Sequence, residues 1–358
     1  MKIILAGGGT GGHVIPALAI AEELRRGGHE AAFVGTERGI ETRLVPKAGF
    51  PLFLVNVGAF NRVNLSTRFR TMAGLPLAVF AAMRILRRFR AQVVIGVGGY
   101  AAAPATMAAV LLRIPIVLFE PNVVPGFANR VVARFATSAA VHFEQTESWF
   151  RGVGVEGVEV TGVPVRPEFF ALPARRSQPP TLLVFGGSQG ARALNRIVCD
   201  SAVELLRRIP ELTIVHQTGE REFSGLSNFY SKRQIKVEVS AFMDDMPQRF
   251  ADADLIVCRS GASTVAEIAA GGRCAVFVPF PGAADDHQLR NAELLARENA
   301  ALLIPESELT PERFVEQVVS LLADPAQLQT MGAKARTLAY PDAASHIAGM
   351  ALKVAKPS

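Results

Sequence analysis

His13 ends a run of five glycines and a threonine, Gly7-Gly8-Gly9-Thr10-Gly11-Gly12. An imidazole can gain or lose a proton near pH 7. The glycines ahead of it lack Cβ, so bare backbone can approach a ligand. Ile3 to Ala6 reads as a buried strand leading into this loop, and Val14 to Arg26 as a helix stopped by Gly27-Gly28. The N-terminus of such a helix favours an anion or a developing negative charge. The spacing does not give a clean dinucleotide fingerprint, since Glu37 is only a loose candidate for the ribose acid.

A second cluster lies later in the chain. Arg259-Ser260-Gly261-Ala262-Ser263-Thr264-Val265-Ala266-Glu267 follows a strand and enters a helix. Glu267 stands three residues after Thr264, the spacing of a capping box. The same carboxylate could accept two hydrogen bonds from a ribose diol, and the two readings compete. Asp285-Asp286-His287-Gln288 leads into another helix, either as its solvated start or as groups that read sugar hydroxyls. Asp252-Ala253-Asp254 matches a string that can hold a divalent metal, but it stands in a helix-to-strand turn without a third ligand. No metal requirement follows from it. Asp244-Asp245 reads as a helix start. His29, His142, His216 and His346 have no partners at catalytic spacing and read as structural.

Short apolar runs alternate with helical segments throughout. Strands are expected at Ile3–Ala6, Ala31–Gly35, Leu52–Val57, Val93–Gly96, Ile116–Phe119, Ala139–Val141 and Val158–Thr161. After a Pro- and Arg-rich break the pattern restarts. Thr181–Phe185 leads into the glycine loop Gly186-Gly187-Ser188-Gln189-Gly190 and a helix from Ala191 to Arg208. Strands then follow at Thr213–Gln217, Ile235–Ser240, Leu255–Cys258, Cys274–Val278 and Ala301–Ile304. Continuous apolar strands mark parallel sheets covered on both faces. The chain therefore reads as α/β, with domains over 1–163 and 164–340 and a last helix within 341–358 crossing back to the first.

Across 358 residues, 49% apolar and 20% charged content excludes general disorder. Cys199, Cys258 and Cys274 are not in metal-ligand spacing and read as core residues of a reducing compartment. No signal peptide opens the sequence, and no apolar run is long enough to span a bilayer. The net charge of +6 is unevenly spread: between Glu41 and Glu120 there is no acid. Residues 68–90 mix Arg68, Arg70, Arg84, Arg87, Arg88 and Arg90 with apolar side chains. A basic, apolar helix of this kind suits an anionic membrane surface. Nucleic acid is not expected, because the phenylalanines lie on helical segments and make no stacking platform.

Taken together, these motifs resemble one family over essentially the full length. They are Gly8 to His13, Gly98-Gly99-Tyr100, Glu120-Pro121-Asn122, Gly162 to Arg166, Gly186 to Ala191, Phe242 to Met246 and Arg259 to Ala262. The chain resembles the MurG family of peptidoglycan N-acetylglucosaminyltransferases. The resemblance implies a GT-B fold, two Rossmann-like doubly wound domains facing across a cleft. It implies transfer of N-acetylglucosamine (GlcNAc) from UDP-GlcNAc to the C4 hydroxyl of a lipid-linked muramyl-pentapeptide, with inversion, at the cytoplasmic face of the inner membrane. It also implies that Met243 meets the uracil, Glu267 the ribose, and Ala262, Ser263, Thr264, Val265 and Ala266 supply backbone contacts. Ser188 and Arg166 would meet the diphosphate or uridine. Gln288 would read GlcNAc, Thr10, Gly11, Gly12 and Asn122 would reach the sugar, and His13 would be the base. Pro121 and His287 stand where the family usually has Gln. No cofactor or metal is implied, because backbone amides can hold the charge of departing UDP. The glycine loops by themselves would also suit a dinucleotide-dependent oxidoreductase, and without catalysis by His13 the chain would be a sugar-nucleotide or polyprenyl-phosphate binding protein.

Overall fold

The computed structural model describes residues 1–37, 39–56, 65–99, 101–173, 179–187 and 190–355, with the side chains of 65–73 and 284 left aside. Ser188, Tyr100 and the end of the expected strand Leu52–Val57 lie outside the described residues. By its packing the chain divides into two units, Met1–Val165 with Tyr340–Ser358, and Arg166–Ala339.

The first unit holds β1 (Lys2–Gly7), β2 (Glu30–Gly35), β3 (Leu52–Leu54), β4 (Val93–Gly98), β5 (Ile116–Glu120), β6 (Ser138–Val141) and β7 (Gly157–Val160). They form one sheet in the order β3-β2-β1-β4-β5-β6-β7, parallel throughout. Ile3, Ile4, Leu5, Val93, Val94 and Ile95 are fully buried, as strands covered by helices on both faces must be. The chain leaves β1 toward β2 on one side, while β4 pairs on the other. This is a topological switch point, where strand ends open onto a crevice. The register between β1 and β4 slips between Ala6 and Gly7, so the ladder breaks where the glycine loop begins.

Helix Ala343–Val354 belongs to this first unit and packs against helix Gly11–Arg26. Its small buried face of Ala343, Ala344, Ile347, Ala348 and Ala351 permits that close approach. Gly162, at φ +76°, makes room for Tyr340, because a Cβ there would lie 2.1 Å from the Tyr340 Cγ.

The second unit holds β8 (Thr181–Phe185), β9 (Thr213–Gln217), β10 (Glu238–Ser240), β11 (Leu255–Cys258), β12 (Ala275–Phe277) and β13 (Leu302–Leu303). Their order is β10-β9-β8-β11-β12-β13, again parallel, with the switch point between β8 and β11. The expected strand at Ile235 begins only at Glu238. Gln234 takes a left-handed φ of +54°, and the Ile235 amide donates to Tyr230 O, 3.0 Å, closing the preceding helix. An amide spent on a helix end cannot join a ladder.

Candidate active site

In the first unit the site is built at the ends of β1, β4 and β5. Thr10 caps helix Gly11–Arg26 in an extended conformation, and its carbonyl accepts the His13 and Val14 amides at 3.2 Å each. Thr10 Oγ1 lies 3.2 Å from His13 Nδ1. The imidazole rests on Gly98, where a Cβ would stand 2.8 Å from Cδ2 and 3.0 Å from Nε2. Gly98 has φ +91°, a second reason for glycine. The ring is thus fixed by Thr10 at one nitrogen and by bare backbone at its edge.

The glycines of the loop divide into two groups. A Cβ on Gly7 would strike Val97, and one on Gly8 would fall 2.2 Å from Glu41 Oε1. Gly35 and Gly39 make room for the same Glu41 carboxylate. Gly9, by contrast, has open space where its Cβ would be, and Gly11 and Gly12 have only ordinary contacts. Sequence reading assigned the whole run to ligand approach, yet Gly7 and Gly8 serve packing. Glu41 is fully buried. It accepts the Gly9 amide at 2.7 Å, the Thr36 amide at 2.9 Å and the Thr36 hydroxyl at 3.0 Å. It shapes the loop from beneath, and sequence reading used it only as the edge of an acid-free stretch.

Glu120 plays a similar part under the next loop. Its oxygens accept the Asn122 amide (3.1 Å), Asn122 Nδ2 (3.2 Å), the Gly126 amide (2.8 Å) and Asn129 Nδ2 (2.9 Å). Burial pushes its pKa up, and those hydrogen bonds pull against it. One hydrogen of the Asn122 side-chain amide is therefore spent within the protein.

In the second unit, β11 runs through Arg259-Ser260-Gly261 into helix Ala262–Gly271, whose N-cap is the extended Gly261. Thr264 lies inside the first turn, so the capping-box reading of Glu267 fails. The Glu267 side chain is instead buried, and among the described residues its Oε1 has no hydrogen-bond partner. Arg166 Nη2 approaches it to 3.9 Å, and the buried Nε of Arg166 also lacks a partner. Burial raises the Glu267 pKa to about 7, with Arg166 pulling it down. A buried, unsatisfied carboxylate is costly, and such a group signals a missing hydrogen-bond donor. The Val265 amide is already given to Gly261 O, 3.0 Å. The amides without a helical acceptor are those of the first turn, Ala262 to Thr264, whereas Val265 and Ala266 lie within the ladder.

Met243 is buried and gives its amide to Gln217 Oε1 at 3.1 Å. Gln217 Nε2 donates to Gly187 O, 3.1 Å. The Gln288 side-chain carbonyl accepts the Phe280 amide at 3.0 Å, and its backbone carbonyl accepts Ser260 Oγ at 2.7 Å. Arg259 bonds to Val278 O and Pro279 O, 3.0 Å each, and pairs with Glu306, so it braces the loops. Asp254 accepts the Thr181 amide at 2.7 Å, a structural role. Among the described residues no group of three or more His, Cys, Asp or Glu is placed to hold a metal ion. Of the other histidines, His216 lies 3.1 Å from both Tyr230 and Asn195 and His346 lies 2.6 Å from Glu159, while His142 packs its ring against Phe143 and Tyr340 and, among the described residues, its buried Nδ1 finds no hydrogen-bond partner.

Two parallel α/β units, each with a glycine loop at its switch point, define a glycosyltransferase of the GT-B type once the comparisons are added. Residues 3–141 match the glycosyltransferase family 28 N-terminal domain and residues 181–347 its C-terminal domain. The chain belongs to this family and, within it, to the MurG group. It is 45% identical over 358 residues to the UDP-N-acetylglucosamine–N-acetylmuramyl-(pentapeptide) pyrophosphoryl-undecaprenol N-acetylglucosamine transferase of Solibacter usitatus, covering 99% of this chain and 97% of that one. The transferase of the same name from Geotalea uraniireducens is 40% identical, covering 97% and 96%. The crystal structure of Acinetobacter baumannii MurG superposes with a TM-score of 0.74 at 33% identity, covering 98% of this chain and 99% of that one.

Proposed function

We propose that this enzyme transfers GlcNAc from UDP-GlcNAc to the C4 hydroxyl of undecaprenyl-pyrophosphoryl-MurNAc-pentapeptide, with inversion, in peptidoglycan synthesis. The observation that carries the reading is the likeness to named transferases along nearly the whole chain. In this reading the first unit takes the acceptor and the membrane, and the second takes the donor. Glu267 supplies the ribose site: two sugar hydroxyls give its unsatisfied oxygen the donors it lacks. Arg166 and the Gly186–Gly190 loop, with Ser188, meet the diphosphate. Met243 reads the uracil through its carbonyl, since its amide is engaged. Gln288 reads GlcNAc with its amide nitrogen, since its oxygen is engaged.

The chemistry is one displacement. The acceptor oxygen forms a bond to the anomeric carbon as the bond from that carbon to the UDP oxygen breaks. His13 takes the hydroxyl proton. The negative charge that grows on the leaving diphosphate is met by preoriented amides and by Arg166, whose contribution is largest where water is excluded. Thr10, Gly11, Gly12 and Asn122 line the sugar side.

The membrane reading rests on helix Leu65–Phe89. Leu77 is 75% and Phe80 56% exposed, beside exposed Arg84, Arg87 and Arg88. Neighbouring helices add exposed Leu111 and Phe127. Among the described residues no helix is long and apolar enough to cross a bilayer. The enzyme attaches peripherally at the cytoplasmic face. Replacing Arg84, Arg87 and Arg88 by Glu is expected to release it from anionic vesicles in a flotation assay, at about 1 kcal/mol per basic residue removed. Retained flotation would move the attachment site elsewhere.

The reaction is tested with UDP-GlcNAc and a short-chain lipid-linked acceptor, with and without chelator. Transfer to the muramyl sugar in both arms is expected. Hydrolysis alone, or a requirement for a nicotinamide cofactor, would overturn the reading.

A further inference from the structure

Gln217 is the last residue of β9, the strand between β8 and β10. It pairs with Phe185 on one side and Ser240 on the other, the final residues of both neighbours. From Phe185 the chain enters the Gly186-Gly187 loop, and from Ser240 it enters the turn that carries Met243. The Gln217 side chain is buried and uses both ends of its amide. Nε2 donates to Gly187 O, and Oε1 accepts the Met243 amide, 3.1 Å each. Gly187 needs such an anchor. It sits at φ +84°, and no atom lies within 4 Å of where its Cβ would be. Among the described residues its carbonyl is otherwise held only by the Gly190 amide at 3.0 Å, within the same loop. The backbone bonds from Thr218 to Ser240 and from Gly219 to Ala241 tie β9 to β10 but stop short of Met243.

We propose that Gln217 is a positioning residue that fixes the distance between the uracil turn and the diphosphate loop, so that both ends of UDP are bound as one rigid ligand. The inference rests on the donor-site reading given above. A primary amide of this length is the side chain that can donate to a carbonyl and accept from an amide at once. A carboxylate keeps only the second role, and a thioether keeps neither. With both loops preset, UDP escapes the cost of aligning them as it binds. A side chain that merely satisfies its own buried amide would not couple the two ends.

The test uses the full-length enzyme with Gln217→Met, Gln217→Glu and Glu267→Gln. UDP, uridine and pyrophosphate are compared as inhibitors of transfer, and KM and kcat are measured for UDP-GlcNAc. Gln217→Met is expected to raise KM and the UDP inhibition constant about tenfold. kcat, and inhibition by uridine or pyrophosphate alone, should stay within about twofold, because only the coupling is lost. Gln217→Glu keeps the Met243 bond but loses Gly187, so it also breaks the link: it is expected to weaken UDP while inhibition by uridine or pyrophosphate alone stays within about twofold. If Gln217→Met fails to fold, that pattern in Gln217→Glu decides the matter. Equal losses for UDP and its two fragments, or UDP affinity unchanged, would overturn the proposal. Glu267→Gln separates the two levels. UDP inhibition unmoved by Glu267→Gln refutes the donor-site reading itself. A loss there without one in the Gln217 variants refutes only the coupling.

Discussion

Glu41 and Glu267 are both buried carboxylates beneath small-residue turns, one in each unit, yet they are treated oppositely. Glu41 has three donors from its own chain, two of them backbone amides. Glu267 has an oxygen with none, and only a distant guanidinium. The first carboxylate is finished when the chain folds and serves to hold a loop in shape. The second is left incomplete, which is the mark of a group meant to be completed by a ligand. The turn above Glu41 ends in an imidazole held by Thr10 and Gly98, and the one by Glu267 opens helix Ala262–Gly271.

The sharpest break in this comparison comes from the fixed imidazole. His13→Ala is expected to lower kcat by 10²-fold or more, the usual scale for a general base, while the UDP inhibition constant stays within about twofold. Unchanged turnover would remove His13 from catalysis. Next come the carboxylates themselves. Glu41→Ala leaves buried amides and a hydroxyl without acceptors and is expected to destabilise the protein by about 2–4 kcal/mol, read as a lower denaturant midpoint. Glu267→Gln removes a buried charge and should leave the unliganded stability equal or higher, yet weaken UDP about tenfold. If both variants lose stability alike, the contrast is false.

The smallest effect is the dependence on pH. The Glu267 pKa is raised to about 7 in the free protein, above its ordinary value, so the folded state holds a proton that the unfolded state gives up. Stability from this group is therefore present at low pH and declines as pH rises from the ordinary carboxylate range through about 7. Ribose hydroxyls need the ionised form as acceptor, so UDP affinity moves the other way. It should rise several-fold between pH 6 and 8, with a proton released on binding, as calorimetry in buffers of different ionisation enthalpy would show. Glu267→Gln should flatten that profile; a profile that persists in the variant assigns the proton to another group.

Much of the scaffold was legible because parallel strands announce themselves as apolar runs. Thr181–Phe185, Thr213–Gln217 and Leu255–Cys258 have the bounds expected from sequence. The motif residues around His13 and Glu267 also fall at strand ends beside the two switch points. What stayed hidden depends on contacts distant in sequence. Glu41 touches Gly9 across 32 residues, and nothing local distinguishes it from a surface acid, although the glycines at 35 and 39 were a trace of it. Gln217 reads as an ordinary strand residue until two loops converge on it. The capping-box spacing misled because the helix begins at Ala262, three residues earlier than the motif requires.

The last helix, Ala343–Val354, completes the unit to which the first strand belongs. Because Tyr340–Ser358 joins a unit that otherwise ends at Val165, that unit cannot close until the whole chain is made. The hydrophobic flank of helix Gly11–Arg26 that the last helix covers stays exposed until then, a transient surface open to wrong contacts in the nascent chain.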